Sequence, residues 1–330
     1  MADNDGDDYN STHRAFLQAF LARSVMTFEE AQPILAAILT AKDDGERPIL
    51  PNDITEADFN TYVATINTAL SPLDLEIRSA RSQSAERTRL WALVNTTSDG
   101  LTQLATTHTA DEIAFVKRLL DAMFEAHNTP RAEVVALTSI QALNLHKAPR
   151  NAEGSETQGS AGATLTMAAA QKLLNDMVEE GWMEKSRRGF LSLSPRALME
   201  LRGWLVETYN EPVDAEEDGP EEVAARTRVK MCEACREIVT VGQRCPSRAC
   251  LCRLHDVCVQ HFFRTHPDRR CPLCKTEWSG DHFVGERAAK PTNRNRGSAG
   301  TVASSSRRST MASQLALSDD DDDDDDDDEE

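Results

Sequence analysis

Between residues 12 and 40 the apolar positions recur at helical spacing. Phe16, Leu17, Phe20 and Leu21 share one face, and Ile34, Leu35 and Ile38 share another. Pro33 falls where the first turn of a second helix tolerates a proline. Thr55, followed by Glu56 and Asp58, is a helix start, and the helix it opens carries Phe59, Val63, Ile66 and Leu70 inward. Its end is predicted near Ser71, because the residue before Pro72 avoids helical geometry. The period then changes. Leu73, Leu75 and Ile77 alternate with polar residues, and Leu90 to Val94 follow a polar turn, which predicts a β-hairpin. Asp111 opens another helix, with Ile113, Phe115, Val116, Leu119, Leu120 and Met123 on its apolar face. Helices around a hairpin predict a winged-helix unit over 12–128.

The pattern returns in shorter form over 129–210. Val134 to Leu145 is helical in composition, and 149–163 is a Gly/Ser-rich loop. Thr166 caps a helix with Ala170, Leu173, Leu174, Met177 and Val178 inward, and Gly181 ends it. Residues 182–191 read as strand, basic turn and strand, and Leu198, Leu201, Leu205 and Val206 lie on a closing helix. This is a second winged helix. The expected fold class is therefore α+β: tandem winged helices, then a cysteine module, then an acidic tail. Residues 1–11 and 280–330 read as disordered, and 211–229, with Pro212 and Pro220, as an acidic linker.

At roughly 100–200 residues per domain, a chain of 330 residues has room for two or three such modules. Its net charge is −19, from 36 Lys and Arg against 55 Asp and Glu. That figure describes the tails. The run from Asp319 to Glu330 is wholly acidic, whereas 223–318 hold 17 Lys and Arg against 7 Asp and Glu, a net of +10. The run itself reads as a solvated tail, with Ser318 before it a candidate phosphosite. No apolar run approaches the ~18–20 residues of a membrane span. The Asp-rich start has neither the basic patch nor the apolar stretch of a signal peptide. A membrane or secreted protein is not expected, and a disulfide framework is therefore not expected either.

All eight cysteines lie between Cys232 and Cys274. Clustering of this kind points to metal. Cys232-x2-Cys235 and Cys271-x2-Cys274 are two knuckles, each able to present two thiolates to one tetrahedral zinc. Between them lie Cys245, Cys250, Cys252, His255, Cys258 and His261, two more than a pair of zinc ions requires. One assignment uses Cys245, Cys250, His255 and Cys258. In a cross-brace, Cys232, Cys235, His255 and Cys258 then hold one ion, and Cys245, Cys250, Cys271 and Cys274 hold the other. A rival assignment uses Cys252, His255, Cys258 and His261. A stretch this poor in large apolar residues builds no core of its own, so the two ions are its fold.

The module, with its Arg-Cys-Pro-Leu-Cys knuckle and Trp278 beyond it, resembles the variant RING finger of the family of non-structural maintenance of chromosomes element 1. The likeness extends upstream. Arg14 to Arg23 resembles that family's opening helix, Ile66 to Leu70 with Leu75 to Arg78 its helix-to-strand passage, and Trp91 to Asn95 with Ala114 to Lys117 its next strand and helix. The resemblance implies the first ligand set, with Cys245-x4-Cys250 wider than the family's usual x2. It implies a nuclear, chromatin-associated subunit of the SMC five/six complex, acting in DNA repair by recombination. It further implies that the winged helices bind a MAGE-type subunit, which forms a subcomplex with a kleisin subunit, and that the finger is a RING-type ubiquitin ligase.

A ligase of this kind docks a ubiquitin-conjugating enzyme and has no catalytic residue of its own. Ile238, Val239, Val241, Pro272 and Leu273 are the candidate docking residues, with Lys275 as a donor towards ubiquitin. A docking module without ligase activity is the alternative. A histone reader is disfavoured, since Arg269 stands where an aromatic wall is wanted. Direct DNA contact is disfavoured too: the candidate recognition helix 166–181 carries only Lys172 against Asp176, Glu179 and Glu180.

Overall fold

Six elements open the chain, in the order helix, strand, helix, helix, strand, strand. They are α1 (Ser11–Arg23), β1 (Val25–Thr27), α2 (Phe28–Lys42), α3 (Glu56–Leu70), β2 (Leu75–Arg81) and β3 (Arg89–Asn95). The structure, a computed structural model, describes residues 9–42, 48–83, 86–96, 107–147, 164–213 and 217–289. Thr55 caps α3 as expected: its hydroxyl accepts from the Asp58 amide while the Asp58 carboxylate accepts from the Thr55 amide. The antiparallel sheet runs β1-β3-β2, so the last strand lies in the middle. Its core is aromatic. Phe16 meets Phe59 edge-on at 5.9 Å, and Phe59 meets Trp91 at 5.0 Å. Burial of each such ring contributes about 1.5–3 kcal/mol. Asn10 caps α1, with Tyr9 against His13, so the polar N-terminus expected to run to residue 11 becomes structured at residue 9. Residues 1–8 lie outside the described residues.

The same topology recurs. α4 (Ala110–Asp121) is followed by β4 (Asn128–Thr129), β5 (Ala132–Glu133), β6 (Leu137–Thr138), α5 (Ser139–Asn144), α6 (Met167–Glu179), β7 (Met183–Lys185) and β8 (Phe190–Leu193). Leaving out the β4–β5 hairpin, the order is again helix, strand, helix, helix, strand, strand, and the sheet runs β6-β8-β7. This corrects one boundary. The helix from Asp111, expected to complete the first winged helix, opens the second: Phe115, Val116, Leu119 and Leu120 share a core with Leu173, Leu174 and Met177 of α6. The first core is complete without it. The segment from Val134, expected to be helical throughout, is irregular over 134–136, forms the short strand β6 and turns helical only at Ser139. The Gly/Ser-rich loop expected at 149–163 lies outside the described residues.

Three helices follow: α7 (Pro195–Glu200), α8 (Arg202–Tyr209) and α9 (Pro220–Arg226). α9 lies within the stretch expected as a linker. There the chain doubles back, because the Asn210 side chain accepts from the Val229 amide at 2.8 Å and donates to the Val229 carbonyl at 3.1 Å. The cysteine module contributes β9 (Gly242–Arg244), β10 (Arg253–Leu254), α10 (Asp256–Thr265) and β11 (Phe283–Val284). β9 lies so close to β10 that a Cβ at Gly242 would come 2.3 Å from the Leu254 carbonyl oxygen.

One further expected boundary, at 279, is corrected by a five-stranded sheet. Its order is β10-β9-β11-β5-β4, so module strands and the hairpin within the second winged helix form one ladder. Val284 pairs with Glu133, and the Gly285 amide donates to the Glu133 carbonyl at 2.8 Å. Phe283 and Val284 therefore belong to the fold, although their segment was expected to be disordered. Residues 290–330, including the acidic run, lie outside the described residues. Among the described residues no helix is long and apolar enough to cross a membrane.

Beneath that ladder lies a buried charge cluster. The Glu133 carboxylate accepts from Arg253 Nε at 2.6 Å and from Nη2 at 2.5 Å, with Lys230 Nζ at 3.3 Å and Arg244 Nη1 at 3.4 Å. Burial disfavours the ionised carboxylate, but Arg253 and then Lys230 and Arg244 overcome that and hold it at about 2.

Candidate metal centre

Each knuckle is the same tight turn. The Cys232 amide donates to the Glu237 carbonyl, and the Arg236 amide donates back to the Cys232 carbonyl, both at 2.8 Å. In the second knuckle Cys271 and Thr276 make the first of these bonds at 2.8 Å, and Lys275 and Cys271 the second at 3.0 Å. Arg236 and Lys275, each just after the second cysteine, take positive φ of 62° and 61°, and the turn closes through them. His255 stands at the N-cap of α10 and Cys258 in its first turn, so the helix sets their spacing. Cys245 follows β9 and Cys250 precedes β10.

These pieces converge on two tetrads. Cys232, Cys235, His255 and Cys258 form one, and Cys245, Cys250, Cys271 and Cys274 the other, with ligand atoms within 4.8 Å of one another in each. Alternate pairs along the chain serve alternate tetrads, as the cross-brace expects. Tetrahedral bonds of ~2.3 Å to sulfur and ~2.0–2.1 Å to nitrogen place neighbouring ligands about 3.5–3.8 Å apart. The sulfur pairs Cys245–Cys274 and Cys250–Cys271 stand at 3.4 and 3.6 Å. His255 Nδ1 stands 3.3 Å from Cys235 Sγ and 3.9 Å from Cys258 Sγ. Disulfides would require about 2.05 Å. The donors fit zinc.

The outer contacts support this. His255 Nε2 lies 3.2 Å from the Ile238 carbonyl oxygen. A proton held there leaves Nδ1 free to bind metal. Burial alone would depress that imidazole, but the neighbouring Cys232 and Cys235 sulfurs push it up to about 10.

Neither of the two residues peculiar to the rival set, Cys252 and His261, joins a tetrad. His261 is exposed and pairs with Arg264. Cys252 is 0 % exposed, burial raises its thiol far above its ordinary range, and its amide faces Cys250 Sγ at 3.5 Å. Cys252→Ala is therefore expected to keep two zinc ions per chain, by elemental analysis of the full-length protein. Loss of one would return the rival ligand set.

The expected docking residues divide. Leu273 is 50 % exposed, Pro272 is partly buried beside it, and Lys275 is exposed, its Nζ donating to the Pro272 carbonyl at 2.9 Å. Ile238 and Val239 are instead 2 % and 5 % exposed, which corrects their expected place on an open surface; Val241 is half-buried. Their segment is closed over by the β2–β3 turn, which is the wing of the first winged helix. Phe262, which the sequence reading passed over, lies half-buried on α10, stacked on His266 at 4.3 Å. The apolar spacing of Val259, Phe262 and Phe263 was the available signal. On α6, Lys172 is paired with Asp176 at 2.7 Å, so its charge is met within the helix.

A profile for the Nse1 non-SMC component of the SMC5-6 complex matches residues 13–201, and a RING-like domain profile matches 232–274. The chain belongs to the Nse1 family. Among its curated relatives are the human non-structural maintenance of chromosomes element 1 homolog and its fission yeast (Schizosaccharomyces pombe) counterpart. The human protein is 22 % identical over 266 residues, covering 81 % of this chain and 83 % of that one. The yeast protein is 22 % identical over 279 residues, covering 84 % and 97 %. A chain from a solved Nse1-Nse3-Nse4 complex superposes with a TM-score of 0.61 at 21 % identity, covering 83 % of this chain and 98 % of its own length. That likeness establishes the shared fold. In this Nse1-family chain the RING-like match and the two tetrads coincide, as the resemblance implied.

Proposed function

We propose that this chain is the RING-type ubiquitin ligase subunit of an SMC five/six complex, with two structural zinc ions. The observation that carries the reading is the pair of interleaved tetrads, each complete with four protein donors. A zinc so enclosed keeps no position for substrate. What the finger offers is a surface, and Leu273 with Pro272 and Lys275 is its exposed part. The conjugating enzyme docks there, and catalysis is the positioning of its ubiquitin thioester for attack by the acceptor amine. No ubiquitin is carried on this chain. Seven cysteines are engaged in the tetrads, and Cys252 is buried with its thiolate disfavoured, the opposite of a reactive thiol.

The partners in this reading are a MAGE-type subunit on the winged helices and a kleisin subunit, in the nucleus on chromatin, in repair by homologous recombination. The solved relative's complex with Nse3 and Nse4 supports a three-subunit assembly. The internally paired lysine of α6 favours a protein over DNA as occupant. A second reading, a docking subunit without ligase activity, is favoured by the burial of Ile238 and Val239.

Ubiquitin discharge from a panel of conjugating enzymes, with and without the MAGE-type subunit, separates the two. The ligase reading expects discharge that rises with the partner. Leu273→Ala should lower it by about fivefold or more, the cost of losing a docking residue worth over ~1 kcal/mol, with zinc content unchanged. No discharge by any enzyme of the panel, even with the partner present, would leave the docking reading.

A further inference from the structure

The wing of the first winged helix reaches the zinc finger through one side chain. Gln83 donates from Nε2 to the Ile238 carbonyl at 2.9 Å, and its Oε1 accepts from the Thr240 and Val241 amides at 2.9 and 2.8 Å. Ile238 and Thr240 are buried, and buried backbone groups require partners. One amide side chain from another module, 155 residues away in sequence for the Ile238 bond, supplies three of them. The Ile238 oxygen that accepts from Gln83 is also the one that faces His255 Nε2. A carbonyl oxygen has lone pairs for two donors. Gln83, the Ile238 carbonyl, His255 and the first tetrad thus form one continuous chain of contacts.

We propose that Gln83 is a positioning residue of the first zinc tetrad, acting through the Ile238 carbonyl on His255, and that it latches the wing to the finger. The proposal rests on the two-zinc reading. Gln83 holds the carbonyl where it keeps the His255 proton on Nε2 and so presents Nδ1 to the metal. The second tetrad has no such link, since its four ligands are all cysteines. Around the contact the wing is not close-packed. A cavity of about 380 Å³ lies between the wing, α7 and the finger, bordered by Gln83, Arg87, Met199, Ile238 and His255. At this point the wing is held by hydrogen bonds, while the sheet behind it packs Ala92 and Val94 against Met199 of α7. A pull on the first winged helix loosens one zinc site and uncovers Ile238 and Val239, leaving the other site unchanged.

The test is cysteine-resolved alkylation of full-length, zinc-loaded protein by iodoacetamide in the presence of a chelator, read by mass spectrometry. Zinc content is measured first. Gln83→Ala is expected to speed alkylation of Cys232, Cys235 and Cys258 about 10–100-fold, the usual penalty for losing an outer contact of a ligand. Cys245, Cys250, Cys271 and Cys274 should keep the wild-type rate. Gln83→Glu keeps the acceptor for Thr240 and Val241 but has no proton for Ile238, and it should speed the same three cysteines. Wild-type rates in either variant, or equal acceleration at both tetrads, would overturn the latch. Wild-type protein without two zinc ions would overturn the finger reading, and the latch with it.

Discussion

Cys271→Ser in the full-length chain is expected to reduce zinc from two ions to at most one and to unfold the finger. Cys271 is wholly buried, and its sulfur stands 3.6 Å from Cys250 in the second tetrad. A structural zinc is worth about 10–16 kcal/mol in a small finger, comparable to the whole stability of an ordinary domain. The damage should spread unevenly. The finger shares a continuous core with the second winged helix, from Phe115 through Leu205 to Trp278, whereas the first winged helix has a separate core around Phe16, Phe59 and Trp91. Hydrogen exchange should therefore rise over 232–284 and across α4 and α6, while α1 and α3 stay protected. Two zinc ions retained in this variant would refute the second tetrad. The buried ladder to β5 also makes the full-length chain, rather than an excised finger, the right material.

Glu133→Gln should destabilise the same region by about 3–5 kcal/mol without removing a ligand. Breaking a buried ion pair leaves its partner charged and unsolvated. Here three cations, Arg253, Arg244 and Lys230, face one carboxylate. Denaturant unfolding at pH 7 measures the loss, with zinc content held at two as the control. The pH dependence has a definite sign. The folded carboxylate is held at about 2, below its ordinary 4.5, so its contribution is fully present above 4.5 and is lost as pH falls towards 2. The gap between wild type and variant should narrow across that window. A gap that is absent at pH 7, or that widens in acid, would show that the cluster does not hold the sheet together.

Much of the site was legible because its determinants are local. The two knuckles and His255-x2-Cys258 are turns and a helix start whose ligand geometry follows from spacing alone. Cys250 over Cys252 was open from spacing, and the tetrad geometry, which brings Cys250 and not Cys252 among the four ligand atoms, decided it. Cys252 lies within the β9–β10 pairing, its carbonyl accepting from the Cys245 amide at 3.1 Å, whereas Cys250 lies in the loop with its sulfur facing Cys271. The docking surface was half legible. Leu273 is exposed on its knuckle as expected, but Ile238 is covered by a side chain from another module.

By itself, then, the sequence determined what short-range physics decides: the helices with their Thr55 and Thr166 caps and the β2–β3 hairpin, with the resemblance selecting the eight positions that converge in the two tetrads. Each depends on groups a few residues apart, where periodicity and hydrogen-bonding capacity are written directly in residue order. Only the tertiary structure decided that α4 opens the second winged helix and that Glu133 receives Arg253 from 120 residues away. The same holds for β11, which joins β5 through a strand of two residues, and for Gln83, which closes over Ile238. Those pairings leave no periodic trace, because a two-residue strand is too short to alternate and one buried glutamate or half-buried glutamine looks in sequence like any exposed one. Their partners are chosen by where the folded cores bring the backbone, and that choice exists only once the chain is packed.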